Sequence, residues 1–224
     1  MWWIQLKNAL QVKKHLQNNN KLIALTYLCV MEYTSRQIEI INAATDLINQ
    51  GGIQQLTTKA LAEKMGFSEP AIYRHFKNKT DILSSVLNYF VMGLKTKMTE
   101  LVQSEDKGIE KLKQIIDFQF EHFSNHPAIV MVIFAETSFQ YEEKLSSAVH
   151  NILTNKKERV VSIIQQGQKD GSIRSDVDPN QLASVFMGSM RFTILQWRLN
   201  NYSNDLKKEG TKLWQVIEKL LKGI

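Results

Sequence analysis

Pro70, Ala71, Tyr73, Arg74, His75 and Lys77 place small, aromatic and basic side chains within eight residues of the 224-residue chain. Phenol, imidazole, guanidinium and ammonium groups all donate to phosphate oxygens, and small residues let a helix approach base edges closely. The chemistry implied is recognition of a polyanionic duplex. Two other groupings invite a chemical reading. His122 and His126, four apart, could chelate a metal, but no third ligand is evident and the pattern is not H-E-x-x-H, so no metal site is expected. His150 reads as an ordinary helical histidine. No glycine-rich phosphate loop, serine–histidine–acid set or carboxylate pair emerges, so catalysis is not expected.

The elements that must carry the basic cluster lie in residues 57–79, TTKALAEKMGFSEPAIYRHFKNK. Thr57 is a good N-cap, and Leu61 and Met65 fall on one face of the helix it opens. Gly66 supplies a sharp turn, and Phe67 can plug the angle that follows. Ser68 is expected to cap a second helix over 68–76, where Pro70 is tolerated in the first turn. At about 100° per residue, Ile72 and Phe76 share the core side. Pro70, Arg74 and Lys77 lie opposite, with Ala71, Tyr73 and His75 on the flanks.

From about residue 36 to 83 the chain resembles the DNA-binding signature of the TetR/AcrR family of bacterial transcriptional regulators. Thr57, Ala62, Gly66, Ser68, Tyr73, His75, Phe76 and Lys79 stand at that family's spacing, and the Y-R-H-F-x-x-K run is the most specific part. The resemblance implies that Tyr73, His75 and Lys79 bind phosphate, and that Lys59, Glu69, Pro70 and Ala71 approach bases or the groove floor. Thr58, Ser68 and Arg74 complete the expected contact set. Glu69 keeps two readings, an acceptor for a cytosine amino group or a first-turn carboxylate favoured by the helix dipole. Arg36 is either a phosphate contact or a solvated arginine.

The formal net charge of +6 suits a polyanionic partner, though charge alone is weak evidence. Hydrophobic residues make up 43% and only three prolines occur, which favours long helices. No run of about 18 apolar residues suggests a membrane span. Cys29, the single cysteine, excludes intramolecular disulfides and suits a reducing cytoplasm.

Three segments are expected. Residues 1–33 form an N-terminal extension; Met31 is expected to be the native start, and the alternative is an extra helix with Trp3, Leu6 and Leu10 on one face. Residues 34–80 form a three-helix DNA-binding domain, opened by a capping box at Thr34 and Gln37 and with its first helix closed by a left-handed cap at 51–52. Residues 81–224 form a helical effector-binding and dimerisation domain. In it a helix of about 20 residues starts at Lys79, a very apolar AIVMVIF stretch follows Pro127, and Asp178 and Pro179 open a helix to about residue 200. The fold class expected is therefore all-α.

Phe118, Phe123, Met131, Phe134, Phe139, Met187, Met190, Phe192 and Trp197 are candidates to line a cavity for a small apolar or aromatic effector; for each one, plain core is the competing reading. The resemblance implies a homodimer joined through the last two helices. Gly188 and Ser189 would permit close approach there, with Leu213, Val216, Ile217 and Leu220 along the final helix. The function implied is a ligand-responsive repressor of a quasi-palindromic double-stranded operator, with no cofactor. The alternative is a family member acting in nucleoid organisation or cell division.

Overall fold

A computed structural model describes residues 33–134 and 143–223 of the chain. Cys29, Met31 and the proposed extension, apart from Tyr33, lie outside the described residues, as does Phe139. The described residues form nine α-helices and no strand. No helix among them is long and apolar enough to cross a membrane.

The first four helices follow from their caps. Helix α1, Ser35–Gly51, opens with a complete capping box between Thr34 and Gln37, and buries Ile40, Ile41, Ala44 and Ile48. It ends at Gly52, whose φ of 78° is the positive value that favours glycine but whose ψ of −178° lies outside the left-handed helical cap expected. A 3-10 turn, Ile53–Gln55, leads to α2, Thr58–Met65, capped by the Thr57 hydroxyl, which accepts from the amide of Ala60. Gly66 does take the left-handed conformation, φ 66° and ψ 32°, which a side chain would strain. Helix α3 is shorter than expected, Glu69–Tyr73 only. The Ser68 hydroxyl makes no capping bond, so the helix is started by backbone geometry and Pro70 alone. Asn78 then caps α4, Lys79–Gln103, a rod of roughly 38 Å at 1.5 Å per residue.

Helices α5, Gly108–Asn125, and α6, Pro127–Ile133, hinge at His126 and Pro127. Ala128, Ile129, Val130 and Val132 are fully buried because α6 is wedged among α1, α4, α5 and α8. The apolar run thus joins the two halves of the molecule. The remaining helices are α7, Glu143–Lys169, α8, Pro179–Leu199, and α9, Leu206–Lys222. At the crossing of α5 and α7 two glycines meet: a Cβ on Gly108 would lie 2.4 Å from the Cα of Gly167. Helix α9 turns Leu206, Trp214, Ile217 and Leu221 to the core and leaves Val216 and Leu220 outside.

Candidate nucleic-acid interface and helical-domain cavity

Helix α3 is held from behind and bare in front. Ile72 and Phe76 are buried, and the Gln37 side chain donates to the His75 carbonyl at 3.3 Å, fixing the end of α3 to α1. Tyr73 is half exposed, and its hydroxyl lies 3.2 Å from that of Thr58 across the α2–α3 angle. Lys59, Ser68, Glu69, Pro70, Arg74 and Lys77 are exposed; Ala71 and His75 are partly covered. The expected contact residues on α2 and α3 are thus exposed or partly covered, and the Thr58–Tyr73 contact joins the two helices.

Charge pairing separates this side from its surroundings. Among the described residues Lys59, Arg74 and Lys77 have no carboxylate within ion-pair distance, whereas Lys64 pairs with Asp46 and Arg36 with Glu39. The Arg36 guanidinium also stacks 4.9 Å over the Phe67 ring. Lys79 is placed differently from a free phosphate ligand. Its ammonium donates to the Ile53 carbonyl at 3.3 Å, and burial lowers its pKa. It pins the start of α4 to the turn before α2 and keeps further N–H groups for an anion.

A cavity of about 480 Å³ opens between α4, α5 and α7. Its apolar wall comes from Val91, Met92, Leu94, Met98, Leu101, Ile115, Phe118, Ala148 and Ile152. Asn88, Gln119, Asn151 and Asn155 supply amides, and Lys95, Lys97, Lys156 and Arg159 supply cations. The Lys156 ammonium contacts the Gln119 amide oxygen. Burial, with help from the nearby charge of Arg191, draws its pKa down to about 8. Arg159 crosses to α4, donating to the Lys95 carbonyl at 2.8 Å and the Thr99 hydroxyl at 3.0 Å.

Of the side chains expected to line a cavity, Phe118 alone among the described residues does so. Phe123, Met190 and Trp197 are buried in the core, while Met131 and Met187 pack partly covered against it. Phe134 lies under the Arg191 guanidinium at 4.3 Å, and Phe192 is 60% exposed. The polar lining residues lie outside the set expected from residue type, because an amide or ammonium on a helix gives no cavity signal of its own. The usable signal was periodic: Ala148, Ile152, Lys156 and Arg159 share one face of α7, as Val91, Lys95 and Met98 do on α4.

His122 and His126 are set in aromatic packing. The His122 ring stacks on Phe118 at 5.9 Å, and His126 contacts both His122 and Phe90 at 5.0 Å. Burial first and His126 second lower the His122 pKa to about 4. Among the described residues no group of three or more potential ligands could hold a metal ion.

At the expected dimer seam, Val185, Phe192 and Leu199 on α8 are exposed at intervals of seven residues, with Gly188 open between them. On α9 Val216 and Leu220 are exposed at 58% and 50%, Leu213 is partly covered, and Ile217 belongs to the core instead. Ser189 bonds its hydroxyl to the Val185 carbonyl at 2.7 Å.

Two family profiles match the chain: "Bacterial regulatory proteins, tetR family" over residues 40–86, and "Tetracyclin repressor-like, C-terminal domain" over 109–206. The fatty acid metabolism regulator protein of Bacillus subtilis is 25% identical over 189 residues, 84% of this chain and 95% of that protein. The nucleoid occlusion factor SlmA of Photobacterium profundum is 20% identical, covering 82% of this chain and 94% of that one. Among solved structures, the B. subtilis transcriptional regulator FadR in complex with stearoyl-CoA superposes with a TM-score of 0.70 at 24% identity, over 84% of this chain and 98% of that chain.

Proposed function

The chain belongs to the TetR family of bacterial regulatory proteins, and from that premise we propose that it is a dimeric, ligand-responsive transcriptional repressor. The family is one of DNA-binding regulators rather than enzymes. One observation supports the coupling above all. The same helix, α4, begins at the reader with Lys79 tied to Ile53 and lines the cavity from Asn88 to Leu101. A ligand that shifts α4 at the cavity displaces the reader roughly 24 Å away along the same rod.

The reader contributes α3 to a major groove, with Tyr73, Arg74, His75 and Lys77 on phosphates and Lys59, Glu69, Pro70 and Ala71 toward bases. The apolar stripe Val185–Phe192–Leu199 and the pair Val216 and Leu220 form the self-complementary seam of a homodimer. Two readers then meet half-sites about 34–36 Å apart on one face of a cytoplasmic duplex. The effector is a small molecule with a substantial apolar part, in keeping with the apolar wall and with the stearoyl-CoA of the similar structure. A coupling of about 1–3 kcal/mol lowers operator affinity 5- to 150-fold.

A second reading, DNA binding in nucleoid occlusion, draws on the similarity to SlmA. Chromatin enrichment separates the two. A few promoter-proximal peaks that share an inverted repeat are expected for the repressor; many dispersed sites outside promoters would favour the second reading, and no enrichment would defeat both.

A further inference from the structure

Among the described residues the cavity between α4, α5 and α7 is lined by four cations, Lys95, Lys97, Lys156 and Arg159, and by no carboxylate. None of the four has an acidic partner within ion-pair distance among the described residues. Lys156 is the most costly of them. Its ammonium is withdrawn from water and repelled by Arg191, and among the described residues it hydrogen-bonds the amide oxygen of Gln119, which is itself 8% exposed. A neutral amide offsets little of the desolvation of an ammonium, and a fixed anion would offset much more. One turn away on the same helix, Arg159 gives its hydrogen bonds to neutral acceptors on α4, the Lys95 carbonyl and the Thr99 hydroxyl.

We propose that this cavity binds an anionic amphiphile, its apolar body against Met92, Met98, Ile115 and Phe118 and its carboxylate-like end on Lys156, and that the same anion draws Arg159 off α4. Charge-assisted hydrogen bonds are about twice as strong as neutral ones, so a carboxylate outcompetes a backbone carbonyl for a guanidinium. Loss of the Arg159 tie frees α4 at the cavity. This consequence, though not the binding itself, rests on the regulator reading above. The ligand class is thereby narrower than an apolar or aromatic effector: the head group must carry negative charge.

Calorimetric titration of the full chain with decanoate, decanol and decyltrimethylammonium, each below its micelle concentration, tests the site. Decanoate is expected to bind about 10-fold or more tightly than decanol, a difference of about 1.4 kcal/mol, with the cationic amphiphile weakest. Lys156→Met should abolish that preference while matching or raising the thermal midpoint, since a buried cation is replaced by an apolar chain of similar length. Equal affinity for the three head groups, or a preference for decanoate that survives Lys156→Met in a folded protein, overturns the proposal. Decanoyl-CoA separates two sources of negative charge. Tighter binding than decanoate, lost equally in Lys156→Met, places carrier phosphates at the cations, whereas weaker binding places a free carboxylate there; both outcomes uphold the anion site. Arg159→Gln should still bind decanoate but shrink the ligand-induced change in operator affinity, and an undiminished change would overturn the role of Arg159. If the ligand-free chain binds its operator and head-group selectivity is missing, the proposal falls alone. If operator binding itself is missing, the regulator reading falls whatever the cavity holds.

Discussion

The proposed reader and the proposed effector domain place their candidate functional side chains in opposite ways. In the reader, Ile72 and Phe76 hold α3 from behind while Arg74, Lys77 and Lys59 stand outside without acidic partners among the described residues. The proposed contacts lie on the surface of a small core, so those side chains should be separable from stability. In the effector domain the cavity is bounded by helices whose separation depends on internal contacts such as Gly108 against Gly167, and the Lys156 ammonium is withdrawn from water. Changes there act on stability and ligand response together. Surface substitutions in the reader should therefore cost DNA affinity with an unchanged thermal midpoint, and interior ones in the second domain should cost stability first.

The largest effect is expected at the α5–α7 crossing. Gly108→Val forces a side chain into the Gly167 backbone and the Ile163 carbonyl, and should lower unfolding free energy by about 3 kcal/mol in chemical denaturation. A wild-type midpoint would show that the helices can part freely, and the contrast with the reader would fade.

Acid should reveal the same interior sensitivity. His122 has its pKa depressed from 6.5 to about 4, so the folded protein keeps it neutral where the unfolded chain already takes up a proton. Stability is then fully present above about pH 6.5 and declines as pH falls toward 4, by at most about 3 kcal/mol. His122→Phe should flatten that decline in thermal melts between pH 7 and 4; an unchanged pH profile would remove His122 as its source.

In the reader of the proposed dimer, each residue would act twice. Tyr73→Ala should weaken operator binding about 30-fold, spread evenly across sequences, with a thermal midpoint within a degree or two of wild type. A matching loss of stability would place Tyr73 in the fold rather than at the duplex. Smallest is Lys59→Ala, expected to cost about 1–2 kcal/mol and to relax preference at one base position in a selection from randomised duplexes. An unaltered preference would confine Lys59 to phosphate contact.

The same contrast explains what could be read from the chain. Caps and punctuation at Thr34, Thr57, Gly66 and Asn78 act locally, and the basic cluster needs only one helix to present it, so residue type and spacing suffice. The length of α3 was less legible because Arg74 keeps helical angles after the last full α-turn. A cavity is a property of three helices at once. Periodicity puts Lys95, Lys156 and Arg159 on one face of their own helices, but which faces meet depends on crossing geometry that no local pattern encodes, and Met190 and Trp197 are drawn into the core by the same packing. Phe192, an attractive cavity residue by type, faces outward because its helix presents a second apolar stripe every seven residues.

The central claim is that the exposed cations on and beside α3, unpaired among the described residues, clamp a DNA backbone. The most direct test is operator affinity by fluorescence anisotropy between 50 and 200 mM salt. A dimer making about six to ten phosphate contacts should lose roughly 10³- to 10⁵-fold in affinity over that range, with a shallower slope for Lys77→Ala. An affinity that does not change with salt would contradict the account.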